Sequence, residues 1–148
     1  MSHSIEIIWD LGDQDLSPGK YLTDHKVILN ENLTIDGGSS PDYGGSVSNI
    51  NPEQKLAAAV SSCFMMTFLA LAAKMKWPVK NYKDKAISYL GKNNEGRMYV
   101  NKIELNPQII FDNDFTISDD EMHKMKERSH KYCFIANSLS KDVEIKIN

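Results

Sequence analysis

Two residues in this chain can act as sulfur nucleophiles: Cys63, in "AVSSCFMMTFLAL", and Cys133, in "HKYCFIANS". A thiolate attacks electrophilic oxygen or sulfur, and two thiols that meet can store an electron pair as a disulfide. The surroundings of each decide whether it is reactive. Asn51, Pro52 and Gln54 form a helix start: an N-cap, a first-position proline and a capping-box spacing. Cys63 lies 12 residues beyond that cap, roughly 18 Å along the axis at 1.5 Å per residue. The helix dipole acts mainly within the first turn, and apolar burial raises a thiol pKa. A reactive Cys63 therefore needs a cation or a strong donor from elsewhere. Cys133 falls near the end of a second predicted helix, with His130 three residues before it on the same helical face and Arg128 and Lys131 nearby. The bland reading is two small core residues, since free cysteine is among the most buried residue types. Residue types and spacing alone leave both readings open.

Other chemistries lack their patterns. The cysteines have no C-x-x-C spacing, and His3, His25, His123 and His130 are not set out as zinc ligands. "DGGSSPDYGGS" does not join a strand to a helix in the manner of a phosphate loop. Ser61-Ser62 lacks the G-x-S-x-G context of a hydrolase. No metal and no cofactor is expected.

The elements that must position the thiols follow from period and punctuation. "IEIIW" (5–9) and "HKVILN" (25–30) read as strands, and 36–49 as a Gly/Ser-rich loop. The helix from Asn51 is bounded by Pro78. Then come "KAISYL" (85–90), a turn at 91–97, and "MYVNKIELNPQIIF" (98–111), a hairpin with a bend near Pro107. Residues 118–140 read as one helix with Ser118 and Glu121 as its capping box, and "DVEIKI" (142–147) as a last strand. The order is ββ-α-ββ-α-β, an α+β chain with mainly antiparallel pairing.

Totals agree with one domain over 1–148. Of 148 residues, 41% are hydrophobic and 25% charged, enough for a packed core. The formal net charge of −3 speaks against nucleic acid as a partner. Leu56–Ala73 is uncharged throughout, but its serines, threonine and alanines suit a helix buried in protein rather than a membrane span. The N-terminus shows no secretory pattern, so a cytoplasmic, reducing location is expected.

"NPEQKLAAAVSSCFMMTFLALAAK" followed by "HKYCFIANSL" strongly resembles the OsmC/Ohr family of thiol-dependent organic-hydroperoxide reductases, from about Tyr21 to the end. The resemblance implies a fold of two antiparallel sheets around long central helices in an intertwined homodimer. It implies that Cys63 is the peroxidatic thiol and becomes a sulfenic acid. Cys133 then condenses with it to a disulfide, which a small dithiol, typically a lipoyl group, reduces. Glu53 matches a carboxylate that pairs with a thiol-activating arginine. On one helix Glu53 and Cys63 are ten residues apart, roughly 15 Å along the axis. The carboxylate would serve an opposing subunit's thiol, or act only on its own helix dipole. In one respect the chain departs: where relatives carry the arginine, in a pattern like Y-x-R-D-H, it reads "YLTDH", with Thr23 at that place. Replacement cations are then sought among His25, Lys20, Lys26 and His130. The reading from a different class is a dimeric protein of this fold that binds an apolar small molecule with weak or no peroxidase turnover.

Overall fold

The computed structural model describes residues 1–112 and 114–148. By its contacts the chain divides into Met1–Lys55 and Leu56–Asn148.

Met1–Lys55 is built on an antiparallel meander of β1 (Glu6–Ile8), β2 (His25–Asn30) and β3 (Leu33–Gly37). Val27 is the buried residue of β2, opposite Ile35, and Lys26 and Asp36 pair as an ion pair on the exposed face. The sequence reading assigned no strand to 33–35 and took 36 onward as loop. In the structure "LTIDG" pairs residue by residue with β2, up to His25 opposite Gly37. Beyond β3 the chain makes a single 3-10 turn at Pro41–Tyr43. It returns so that Ile50 bridges Gly37, with Ile50 N–H donating to the Asp36 carbonyl at 3.0 Å. That bridge sets Asn51 at the sheet's end. The predicted cap forms there: Gln54 N–H donates to Asn51 Oδ1 at 2.8 Å, and Asn51 N–H to Gln54 Oε1 at 3.0 Å.

Helix α1 spans Pro52–Lys74. Its buried residues recur at helical spacing, Ala57, Val60, Cys63, Phe64, Phe68, Leu71 and Ala72. It stops before Pro78 by a Schellman closure, with Trp77 N–H donating to the Ala72 carbonyl and Lys76 N–H to the Ala73 carbonyl. Lys76 takes the left-handed conformation that this closure requires, at φ 58°.

Two sheets complete Leu56–Asn148. β4 (Val79–Lys83) pairs antiparallel with β7 (Gln108–Phe111). β5 (Ile87–Lys92) and β6 (Met98–Leu105) form the expected hairpin, closed at Asn93–Gly96, and β8 (Glu144–Ile147) adds to β6 in parallel. β4 had not been expected; "VKNYK" is mostly polar, so no run of apolar residues marks it. Asn106 and Pro107 separate β6 from β7, and this is where the chain passes from one sheet to the other. Asp84, between β4 and β5, holds the passage. One carboxylate oxygen accepts Asn106 N–H at 2.6 Å and the other accepts the Ser61 hydroxyl of α1 at 2.5 Å.

The region read as one helix is two. α2 covers Asp119–Lys131 with its capping box intact, and α3 covers Phe134–Ser138. Tyr132 turns out of the helix and Cys133 is extended at ψ 110°. Cys133 is therefore not on the last turn of α2 beside His130, as its spacing had suggested. It is the N-cap of α3.

Replacing Asp84 by alanine leaves the Asn106 amide and the Ser61 hydroxyl without an acceptor. We expect a loss of about 2–3 kcal/mol, read as a lower urea midpoint at unchanged slope; Asp84→Asn, which keeps one acceptor, should lose less.

Candidate functional site

The two thiols come together. Cys63 and Cys133 belong to one apolar cluster with Ala57, Val60, Phe64, Ile103 and Leu105. α1 brings one sulfur and the break between α2 and α3 the other. Both are free thiols, Cys133 wholly buried and Cys63 with 9% of its surface exposed. Cys63 is the less enclosed of the two.

Their protonation differs by position. Burial pushes the Cys133 thiol up to about 11. The Ala136 amide, donating to its sulfur at 3.5 Å, pulls the other way, and Cys63 adds to the rise as acceptor of the Cys133 S–H and as a neighbouring negative charge. At neutral pH Cys133 keeps its proton. Tyr82, packed against the same cluster, is likewise held protonated, by burial first and by Asp84 second, and its hydroxyl is buried without a partner. His130 meets Cys133 through its backbone, whose carbonyl accepts Cys133 N–H at 3.1 Å, while its own Nδ1 is buried without a partner.

Within Met1–Lys55, Thr23, His25 and Glu53 come together. They line a cavity of about 220 Å³ with Ser39, Ser40 and Tyr43. The Thr23 hydroxyl is engaged by Ser39, at 2.7 Å from its hydroxyl and 3.0 Å from its amide. His25 Nδ1 lies 2.8 Å from the Thr23 carbonyl. A carbonyl only accepts, so Nδ1 carries the hydrogen and Nε2 is left as an acceptor. The Lys55 ammonium donates to that nitrogen at 3.3 Å. Among the described residues, Glu53 Oε2 and Ser40 Oγ are buried with no partner. Of the other cations considered, Lys20 pairs with Asp15 and Lys26 with Asp36, both on the surface. Among the described residues no group of three or more His, Cys, Asp and Glu is placed to hold a metal ion.

Lys55 escaped the sequence reading. In "NPEQK" it is one lysine in a capped first turn, where solvated charge is ordinary. Its one signal was the distant Gly37-Gly38. A Cβ on Gly37 would stand 2.7 Å from Lys55 Nζ and closer still to His25 Nε2, so the couple fits only over a glycine.

The chain is similar to known proteins in sequence and in fold. A family model described as OsmC-like protein matches residues 44–148. The structure of an OsmC-like protein of unknown function from Vibrio cholerae superposes with a TM-score of 0.90 at 32% identity, over 100% of this chain and 99% of that one. An organic hydroperoxide resistance protein from Elizabethkingia anophelis gives 0.73 at 19% identity, over 99% and 95%. The organic hydroperoxide resistance protein OhrB of Bacillus subtilis gives 0.70 at 14%, over 100% and 97%. These last two share the fold. No curated protein matches the chain in sequence.

The raised Cys133 thiol makes stability depend on alkaline pH. Its neutral form is favoured in the folded state, so its contribution is complete below the unfolded thiol's pKa near 9 and is lost as pH rises through about 11. Between those values the loss should be on the order of 2 kcal/mol. Urea titrations under reducing conditions should show it in the wild type, and Cys133→Ser should remove that part of the slope.

Proposed function

The chain belongs to the OsmC-like protein family, and on that premise we propose that it reduces organic hydroperoxides, with Cys63 as the attacking sulfur and Cys133 as the resolving thiol. The observation that carries this reading is the meeting of the only two cysteines, 70 positions apart in sequence, in one core cluster. Cys63 as thiolate attacks the outer oxygen of R–O–O–H. The O–O bond breaks, RO⁻ takes a proton and leaves as alcohol, and Cys63 becomes Cys–S–OH. Cys133 sulfur then displaces the hydroxyl, its own proton leaves with that hydroxyl as water, and the S–S bond forms. An external dithiol, of the lipoyl type, returns both thiols by exchange and is itself oxidised to a disulfide. Val60, Phe64, Ile103 and Leu105 make the surroundings of Cys63 apolar, which favours a lipophilic peroxide over hydrogen peroxide.

The functional unit in this reading is a homodimer. Only 33% of the most apolar stretch of α1 is buried in one chain. Ala58, Ser62, Met66, Ala70 and Ala73 form an exposed row at spacings of four and three, with Met66 58% exposed. Small residues on such a row let a second α1 approach closely.

One observation favours a binding role without turnover: Thr23 stands where the related enzymes' arginine is expected, and its hydroxyl is already committed to Ser39. Peroxide consumption separates the two. With cumene hydroperoxide and dihydrolipoamide, wild type should turn over and Cys63→Ser should lose essentially all activity. Cys133→Ser should stop after one equivalent, with a sulfenic acid trapped by dimedone. A wild-type protein that consumes not even one equivalent would leave the binding role standing. Met66→Lys, tolerated in a single chain, should sediment as a monomer; an unchanged dimer would remove α1 from the interface.

A further inference from the structure

The side chains of Met1–Lys55 that can carry positive charge are His3, Lys20, His25, Lys26 and Lys55. Lys20 and Lys26 are neutralised by Asp15 and Asp36. Lys55 is not: among the described residues no carboxylate lies within ion-pair distance of it, and its partner is the imidazole of His25. That imidazole can accept only while it is neutral, because Nδ1 spends its hydrogen on the Thr23 carbonyl. The half-buried ammonium therefore has no negative charge opposite it among the described residues. Holding a partly desolvated cation on a neutral acceptor is unfavourable for folding alone, since a carboxylate would stabilise it better. Gly37 opens the space for it. The charged groups bordering the couple are Glu53 on the cavity wall and Asp24 beside Gly38, and neither is within ion-pair distance of Lys55.

Resting on the reading of Cys63 as the attacking sulfur, we propose that Lys55 is the counter-charge that holds Cys63 as thiolate, acting between two copies of the chain, with His25 as the residue that positions it. Within one helix the pair cannot meet. Lys55 and Cys63 are eight residues apart on an unbroken helix, about 12 Å along the axis. Helical side chains lean toward the N-terminus, and Lys55 is held on His25 of β2. Between two antiparallel copies the arithmetic is different. A two-fold axis crossing the helix pair at position 59 sets residue 55 of one copy opposite residue 63 of the other. Positions 55, 59 and 63 follow at intervals of four and share a helix face. Position 59 is Ala59, and its neighbour Ala58 is exposed, so the crossing point is small enough for the backbones to draw near. The thiolate's apolar surroundings make a single nearby charge count, because little solvent screens it.

The test reads thiolate chemistry and not peroxide turnover. In a Cys133→Ser background, iodoacetamide alkylation of Cys63 is timed at pH 7 by intact mass. Lys55→Gln keeps an N–H donor for His25 and removes the charge; it should slow alkylation about 3- to 10-fold, the effect of half to one pK unit of thiolate population. Lys55→Arg should stay within about twofold of the parent, a change of no more than about 0.3 pK unit. Gly37→Ala keeps every charge but displaces both ends of the couple, and should slow the reaction as Lys55→Gln does; it serves as the second variant if Lys55→Gln folds poorly. Co-expressed tagged heterodimers decide the geometry. A chain with Cys63 but carrying Lys55→Gln, paired with a Cys63→Ser chain that keeps Lys55, should recover the parental rate. A chain with Cys63 and Lys55, paired with a Cys63→Ser, Lys55→Gln chain, should be slow. Unchanged alkylation in Lys55→Gln, or full speed in that last heterodimer, would overturn the proposal. Lys55-dependent alkylation in a protein inert to hydroperoxides would keep it and sink the peroxidase reading instead.

Discussion

Burial of one face of α1 is the constraint on which Leu56–Asn148 depends. Val60, Phe64 and Phe68 are almost fully removed from solvent, as are Ile103 and Leu105 of β6. Each large side chain so buried stabilises the fold by about 1.5–3 kcal/mol. The same face carries Cys63. The residues that hold the helix in place are thus the walls of the thiol cluster, and the thiol cannot be moved without disturbing the core. A rigid, central position for the Cys63 sulfur comes at no separate structural cost.

That placement sets the electrostatic problem. A low-dielectric core favours the neutral thiol, and Cys133 shows the effect in full. In the proposed reaction the effect is useful for Cys133, which releases its proton with the departing water, and harmful for Cys63, which must be anionic to attack. The two sulfurs share a core but differ in access, one sealed and the other open by a small margin. The anionic form of the open one needs help from outside that core.

The cavity around Thr23 and Glu53 shows a different kind of compromise. A carboxylate oxygen and a hydroxyl are buried there without partners, while an ammonium nearby rests on an imidazole. Unmatched buried polar groups lower stability. The exposed row on α1 is the surface that a second copy covers in the proposed homodimer.

Much of this was readable from residues in order. The caps at Asn51–Gln54 and Ser118–Glu121, the strand at 25–30, the β5–β6 hairpin and the two cysteines are announced by signals within a few neighbours. The family resemblance rested on the same short segments. Three features were not readable. β3 and β4 are strands because partners lie beside them, and their own residues are too polar or too glycine-rich to say so. Cys133 looked like a residue of α2 because helical period carries no mark of where tertiary packing will interrupt it. The Lys55–His25 couple joins positions 30 apart over a glycine, and nothing local distinguishes Lys55 from a solvated lysine. Short-range hydrogen bonding and hydrophobic period are written in sequence because they act between near neighbours. Which distant groups share a cavity depends on how the elements pack, and only the tertiary structure decided that.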